Sequence, residues 1–130
     1  MRVRTYVDSG VLIATARGTQ PLAAIALRVF EDADREFMTS EYLRIEIFPK
    51  PTYHRIVEEL AFYEEFFNTA AVVLPFSAEH LQRSFDEACR YGLSAFDAIH
   101  LVAATVTGCE EFLTSERTTS PLFPYFERPH

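Results

Sequence analysis

Val3-Arg4-Thr5-Tyr6-Val7-Asp8-Ser9-Gly10 decides how the rest of the chain is read. An apolar, β-branched run ends in a carboxylate, then a small residue, then glycine. Val11-Leu12-Ile13-Ala14-Thr15-Ala16 follows and reads as helix. A strand that feeds straight into a helix is the opening of a βαβ unit. In open parallel sheets, ligands bind just beyond the carboxyl ends of the strands, where the strand order reverses. Asp8 is expected at such an end.

Outward from this stretch the chain alternates strands and helices. Residues 2–8 read as a strand and 10–17 as a short helix closed by Gly18. A second helix is expected from Pro21 to about Asp34, with Leu22, Ile25, Ala26 and Val29 at helical spacing. Glu36-Phe37-Met38-Thr39 reads as a strand, and Ser40 as the cap of a helix that runs to Phe48 and stops at Pro49. Thr52 is expected to cap the next helix, to about Ala70, with Ile56, Leu60, Tyr63 and Phe67 on one face. Phe62 and Phe66 fall off that face, which suits either a partner surface or a helix buried on a wide stripe.

Ala71-Val72-Val73-Leu74-Pro75 reads as a strand covered on both sides. Ser77 opens a helix that Gly92 ends, and Ser94 opens another that Gly108 ends. Glu111-Phe112-Leu113-Thr114 is the fourth strand. The pattern predicts an α/β fold: a three-layer α/β/α sandwich around a parallel sheet of four or five strands. One domain over residues 1–130 is expected, with an irregular tail from about 118, where Pro121, Pro124 and Pro129 fall.

Composition narrows the function. The 130 residues are 48% hydrophobic, enough for a real core. No apolar run reaches the roughly 18 residues that span a bilayer. Arg2 and Arg4 are not followed by a signal-peptide pattern, so a cytoplasmic protein is expected. Cys89 and Cys109 lack CxxC spacing and suggest neither a disulfide framework nor a zinc site. Nineteen acids against twelve bases give a net charge of −7, which argues against nucleic-acid binding through the overall field. Any such binding must be local, assisted by metal, or carried by a partner. Eleven of the twelve bases are Arg, which reads either as a choice of the better bidentate phosphate ligand or as plain genomic composition.

Four acids stand out, each with two readings. Asp97 is the only residue charged at pH 7 between Leu93 and Cys109, on an otherwise apolar helix. A carboxylate there needs a partner, either a metal or a capping box with Ser94. Asp8 either joins a site or caps the helix after it. Glu46 lies beside the apolar face of its helix, three residues after Leu43, and otherwise pairs with Lys50 on the surface. Glu116 follows the fourth strand and is otherwise a solvated loop acid. Together they place carboxylates at what should be one edge of the sheet, where they repel unless a cation joins them. Oxygen donors without a His/Cys cluster point to Mg²⁺ or Mn²⁺.

Tyr6-Val7-Asp8-Ser9, Ser40-Glu41-Tyr42-Leu43-Arg44-Ile45-Glu46-Ile47, Gly92-Leu93-Ser94-Ala95-Phe96-Asp97-Ala98-Ile99-His100-Leu101-Val102-Ala103-Ala104 and Phe112-Leu113-Thr114-Ser115-Glu116 resemble the motifs of PIN domains, and more narrowly of VapC-type toxins. The resemblance covers nearly the whole chain. It implies a Mg²⁺- or Mn²⁺-dependent endoribonuclease, with Asp8, Glu46 and Asp97 on the three main acidic positions. Glu116 stands where many members have Asp, a longer arm with the same charge. Ser9 and Thr114 match supporting positions. The resemblance also implies an RNA substrate, a homodimer and a cognate antitoxin. Arg44, His54, Arg55 and Arg117 flank the acids in sequence and are candidate phosphate contacts or plain surface bases. His100 reads as a packed core histidine.

Two other classes compete with this reading. An aspartyl-nucleophile phosphatase needs an acid two residues after the first, and that position is Gly10. A binding module with the same fold and an inert site remains the alternative.

Overall fold

Residues 2–114 are described by a computed structural model, and Glu116, Arg117 and the tail lie outside them. Four strands form one parallel sheet: β1 (Val3–Val7), β2 (Arg35–Ser40), β3 (Val72–Leu74) and β4 (Glu111–Leu113), in the order β3-β2-β1-β4. The register pairs Tyr6 with Met38 and with Phe112, and Ser40 with Leu74. The chain steps outward from β1 to β3 and then returns to the other side of β1. The strand order therefore reverses beside β1, at the β1–β4 border.

Strand alternation sorts the core into two layers. On one face Tyr6, Met38 and Phe112 pack with Leu101, Ala103, Ala104 and Cys109, all supplied by or adjoining α7 (Ala95–Val106). On the other face Val7 meets Val11 and Leu12 of α1 (Ser9–Arg17), Ala26 of α2 (Leu22–Phe30), Leu43 and Ile47 of α3 (Glu41–Ile47), and Tyr63, Phe66 and Phe67 of α5 (Val57–Thr69). With α6 (Ala78–Tyr91) packed along α7, this is the three-layer sandwich expected. Thr39, on β2, is fully buried, and its hydroxyl has no hydrogen-bond partner among the described residues.

Local chemistry explains most helix ends. The Ser40, Ser77 and Ser94 side chains accept from Leu43, His80 and Asp97 N–H, and Gly18 and Gly92 close α1 and α6 in the left-handed conformation. Several boundaries differ from expectation. The α2 helix ends at Phe30 rather than near Asp34; Asp32 instead takes the Arg35 guanidinium at 2.7 Å and the Asp34 N–H, forming a turn into β2. Pro49 does not simply stop a helix: it occupies the first turn of a further short one, α4 (Pro49–Tyr53), where its missing N–H costs nothing. Thr52 is no cap, because its hydroxyl donates back to Phe48 C=O inside α4. Arg55, at φ 57°, breaks the chain before α5, which begins without a side-chain cap.

Two packing expectations also change. Phe66 is buried and Phe62 partly so, their rings meeting Phe30, and Phe66 also meets Phe37. They belong to the core stripe rather than to a partner surface, while Ile56 is exposed. β3 is an edge strand, with Val72 exposed and Val73 and Leu74 half-buried, so it is not covered on both sides.

Candidate active site

The carboxyl edge of the sheet collects the polar residues of interest. Asp8 follows β1, in line with Ser40 at the end of β2 and Thr114 after β4. Asp8 Oδ1 accepts the Val11 N–H at 2.9 Å and caps α1, so the capping reading is realised. Its other oxygen, Oδ2, accepts the Thr114 hydroxyl at 2.6 Å. The carboxylate is thus aimed by the strand end, the helix start and the neighbouring strand at once. Ser9 opens α1 beside it.

Glu46 comes from α3. Its partner is not Lys50 but His100, on α7: His100 Nε2 lies 2.8 Å from Glu46 Oε1. Glu46 keeps 27% of its side-chain surface open, whereas His100 keeps 5%. His100 Nδ1 lies 2.8 Å from the Tyr6 hydroxyl, which also bonds Ser40 Oγ at 2.8 Å. Phe96 stacks on the imidazole at 6.0 Å and remains partly open to solvent. Burial drives the Tyr6 hydroxyl far above its usual range, and the charges of Glu46 and Asp8 push it the same way. Both carboxylates therefore bear electrostatically on one phenol.

Asp97 sits in the first turn of α7, half-buried, one turn before His100. Its backbone N–H is capped by Ser94 Oγ at 3.3 Å, one half of the capping box. Glu46 is thus joined through His100 to the helix that carries Asp97 one turn earlier, and Asp8 directly follows the strand that carries Tyr6. Among the described residues, no three His, Cys, Asp or Glu side chains gather closely enough to hold a metal ion in common. Glu116 lies outside them. The donor chemistry nevertheless suits Mg²⁺, which keeps several waters and usually takes only one or two carboxylates directly.

The basic candidates separate. Arg44 pairs with Glu41 at 3.0 Å and lies over the rings of Phe48 and Phe67, so its guanidinium is already engaged. His54 and Arg55 are exposed, and Arg117 lies outside the described residues. The groove between α6 and α7, about 400 Å³ and lined by Leu81, Phe85, Leu93 and Ile99 among others, contains none of the acids. Its apolar lining is unsuited to phosphate chemistry. Cys89 and Cys109 are free thiols. Among the described residues no single helix is long and apolar enough to cross a membrane.

Sequence reading gave His100 only a packing role. What it missed was the Glu46–His100 contact, between residues 54 positions apart. The available signal was a histidine one turn from an acid on an otherwise apolar helix, a place where both ring nitrogens need partners.

Comparison with known proteins agrees with the fold. The crystal structure of Mycobacterium tuberculosis VapC20, titled a toxin cleaving the sarcin-ricin loop, superposes with a TM-score of 0.68 at 17% identity, covering 83% of this chain and 86% of that one. No curated protein matches the sequence. The PIN domain family model matches residues 5–118. The chain belongs to the PIN domain family.

Proposed function

We propose that the chain is a Mg²⁺- or Mn²⁺-dependent endoribonuclease, the toxin of a toxin–antitoxin pair, with Asp8, Glu46 and Asp97 as its acidic residues and Glu116 as a fourth. The observation that carries this reading is the arrangement at the carboxyl edge of β1: Asp8 held by Thr114, and Glu46 held by His100 one turn from Asp97. Membership of the PIN family and the likeness to VapC20 support it.

When bound, the cation would lower the pKa of a water and offset the charge that builds on the phosphate. The chain's own residues orient and exclude. Thr114 and the Val11 N–H fix the Asp8 carboxylate. Both ring nitrogens of His100 are engaged, with Glu46 and Tyr6, so the imidazole does not serve as the general base. Ser9 and Thr114 support the first acid. Arg55 and Arg117 are phosphate contacts in this reading, while Arg44 is held by Glu41. The protein works in the cytoplasm on RNA, as a homodimer, and is restrained by an antitoxin whose basic side chain enters the acidic cleft.

The test is cleavage of total RNA with Mg²⁺ or Mn²⁺ and with chelator. Cleavage is expected only with metal, and Asp97→Asn is expected to lower it at least about 100-fold, because the substitution removes charge while Ser94 still caps the backbone. Full activity in Asp97→Asn removes that residue from the site.

A second reading is an inert PIN-fold module that binds RNA or protein. The lack of three gathered acids among the described residues favours it. A Mn²⁺-dependent thermal shift, reversed by chelator, selects the nuclease; no shift at millimolar metal selects the module.

A further inference from the structure

We propose that His100 is a positioning residue for Glu46, and that Tyr6 and Ser40 lock its imidazole in the one orientation that performs this task. The proposal rests on the nuclease reading above and adds to it three residues that carry no negative charge.

The geometry is a continuous chain of hydrogen bonds. Leu43 N–H donates to Ser40 Oγ at 3.3 Å, and Ser40 meets the Tyr6 hydroxyl at 2.8 Å. Tyr6 meets His100 Nδ1 at 2.8 Å, and His100 Nε2 meets Glu46 Oε1 at 2.8 Å. Tyr6 and Ser40 are fully buried and His100 nearly so.

The hydrogen inventory assigns a direction. An ionised Glu46 only accepts, so His100 Nε2 carries a proton. If Nδ1 accepts, the Tyr6 hydroxyl donates to it and receives the Ser40 hydroxyl proton, and every proton in the chain has an acceptor. In the opposite direction Tyr6 donates to Ser40, which already accepts from Leu43 N–H. The serine proton is then left without an acceptor among the described residues, a costly outcome at a buried site. The chain therefore runs Ser40 to Tyr6 to His100 to Glu46.

Its consequence is specific to Glu46. A glutamate near the end of a two-turn helix, with a quarter of its side chain in solvent, samples many rotamers. The His100 N–H selects one by binding Oε1, and Oε2 takes no part in that bond. Tyr6 cannot swing away, because its ring is stacked on Phe112 at 5.5 Å, and Phe96 stacks on the imidazole. A purely packed histidine would need only some acceptor for its N–H. Here the acceptor is a carboxylate that the site itself requires. Such outer partners of a metal-binding carboxylate typically govern affinity by 10–100-fold.

The test measures Mn²⁺ binding to the whole chain by loss of the free-ion EPR signal, alongside the melting temperature in chelator. His100→Leu is expected to weaken Mn²⁺ binding by about 10–100-fold. His100→Gln retains a side-chain N–H and is expected to recover most of that loss, which a role in packing alone would not produce. Tyr6→Phe keeps the ring and removes the anchor, and is expected to weaken binding several-fold. Wild-type Mn²⁺ affinity in His100→Leu overturns the proposal, whatever its melting temperature. If His100→Leu does not fold, wild-type affinity in Tyr6→Phe overturns it. Absence of Mn²⁺ binding by the wild-type chain counts instead against the nuclease reading, so the two failures are distinct.

Discussion

The Thr114 hydroxyl donates to Asp8 Oδ2 at 2.6 Å, joining residues 106 positions apart across the border where the strand order reverses. The same carboxylate caps α1 through Oδ1. One aspartate thus has a structural duty and a proposed chemical one, and the two can be separated.

Asp8→Asn keeps a side-chain oxygen that can cap the helix, whereas Asp8→Ala keeps neither cap nor charge. We expect Asp8→Ala to lose about 1–2 kcal/mol of stability, and Asp8→Asn clearly less. Both should lose metal-dependent cleavage. Urea melts and RNA cleavage on the same preparations check this. Asp8→Asn with wild-type activity would leave Asp8 as a cap only.

Thr39 is a different case, a fully buried hydroxyl on a central strand with no partner among the described residues. Replacing it by the near-isosteric valine removes the desolvated oxygen and keeps the volume. Thr39→Val is expected to stabilise the chain by about 1–2 kcal/mol, seen as a higher urea midpoint. A lower midpoint would mean that the hydroxyl is satisfied in solution.

Glu111 is tied to Arg35 by two hydrogen bonds, at 2.8 and 3.2 Å, and to Thr5 at 2.9 Å. The Arg35 guanidinium, helped by the Thr5 hydroxyl and opposed by burial, holds its carboxyl below the ordinary glutamate value. The folded chain therefore binds this proton less readily than the unfolded chain. The stabilisation is complete above the unfolded pKa, about 4.3, and is lost as pH falls through the lower folded value. Glu111→Gln should reduce stability at pH 7 by about 1 kcal/mol or less, since the Glu111 side chain is a third exposed. It should also flatten the decline between pH 5 and 3. An unchanged acid limb in urea melts would contradict this.

Phe66 tests the core. Its ring meets Phe30 at 5.7 Å, Phe67 at 5.8 Å and Phe37 at 6.0 Å, so it ties α5 to α2 and β2. Phe66→Ala is expected to cost about 3–5 kcal/mol in a denaturant melt. A cost within 0.5 kcal/mol, the range usual for surface changes, would return Phe66 to the surface.

What was legible in the sequence was what local chemistry decides. Ser40, Ser77 and Ser94 mark helix starts because a hydroxyl accepting a backbone N–H needs only its own neighbours, and Gly18 and Gly92 mark ends for a similar reason. Strand alternation around Tyr6 and Val7 gave the sheet. The break at Arg55 was not legible, because a non-glycine residue adopts φ 57° only where its surroundings impose it. The burial of Phe66 depended on α2 lying across α5, which no window of one helix reveals. The acids were found singly, whereas the histidine that orders one of them required the fold to bring α3 and α7 together.

The order in which the chain supplies these parts has a bearing on its synthesis. Asp8 emerges from the ribosome first, but Asp97 and His100 belong to the last helix described, Thr114 follows the last strand described, and α7 also forms the layer that fixes Tyr6. On the proposed assignment, a nascent polypeptide stays harmless until α7 has been translated. Products of premature termination before α7 would be inert toward RNA, so a cell making such a protein would face its hazard only once that helix has left the ribosome.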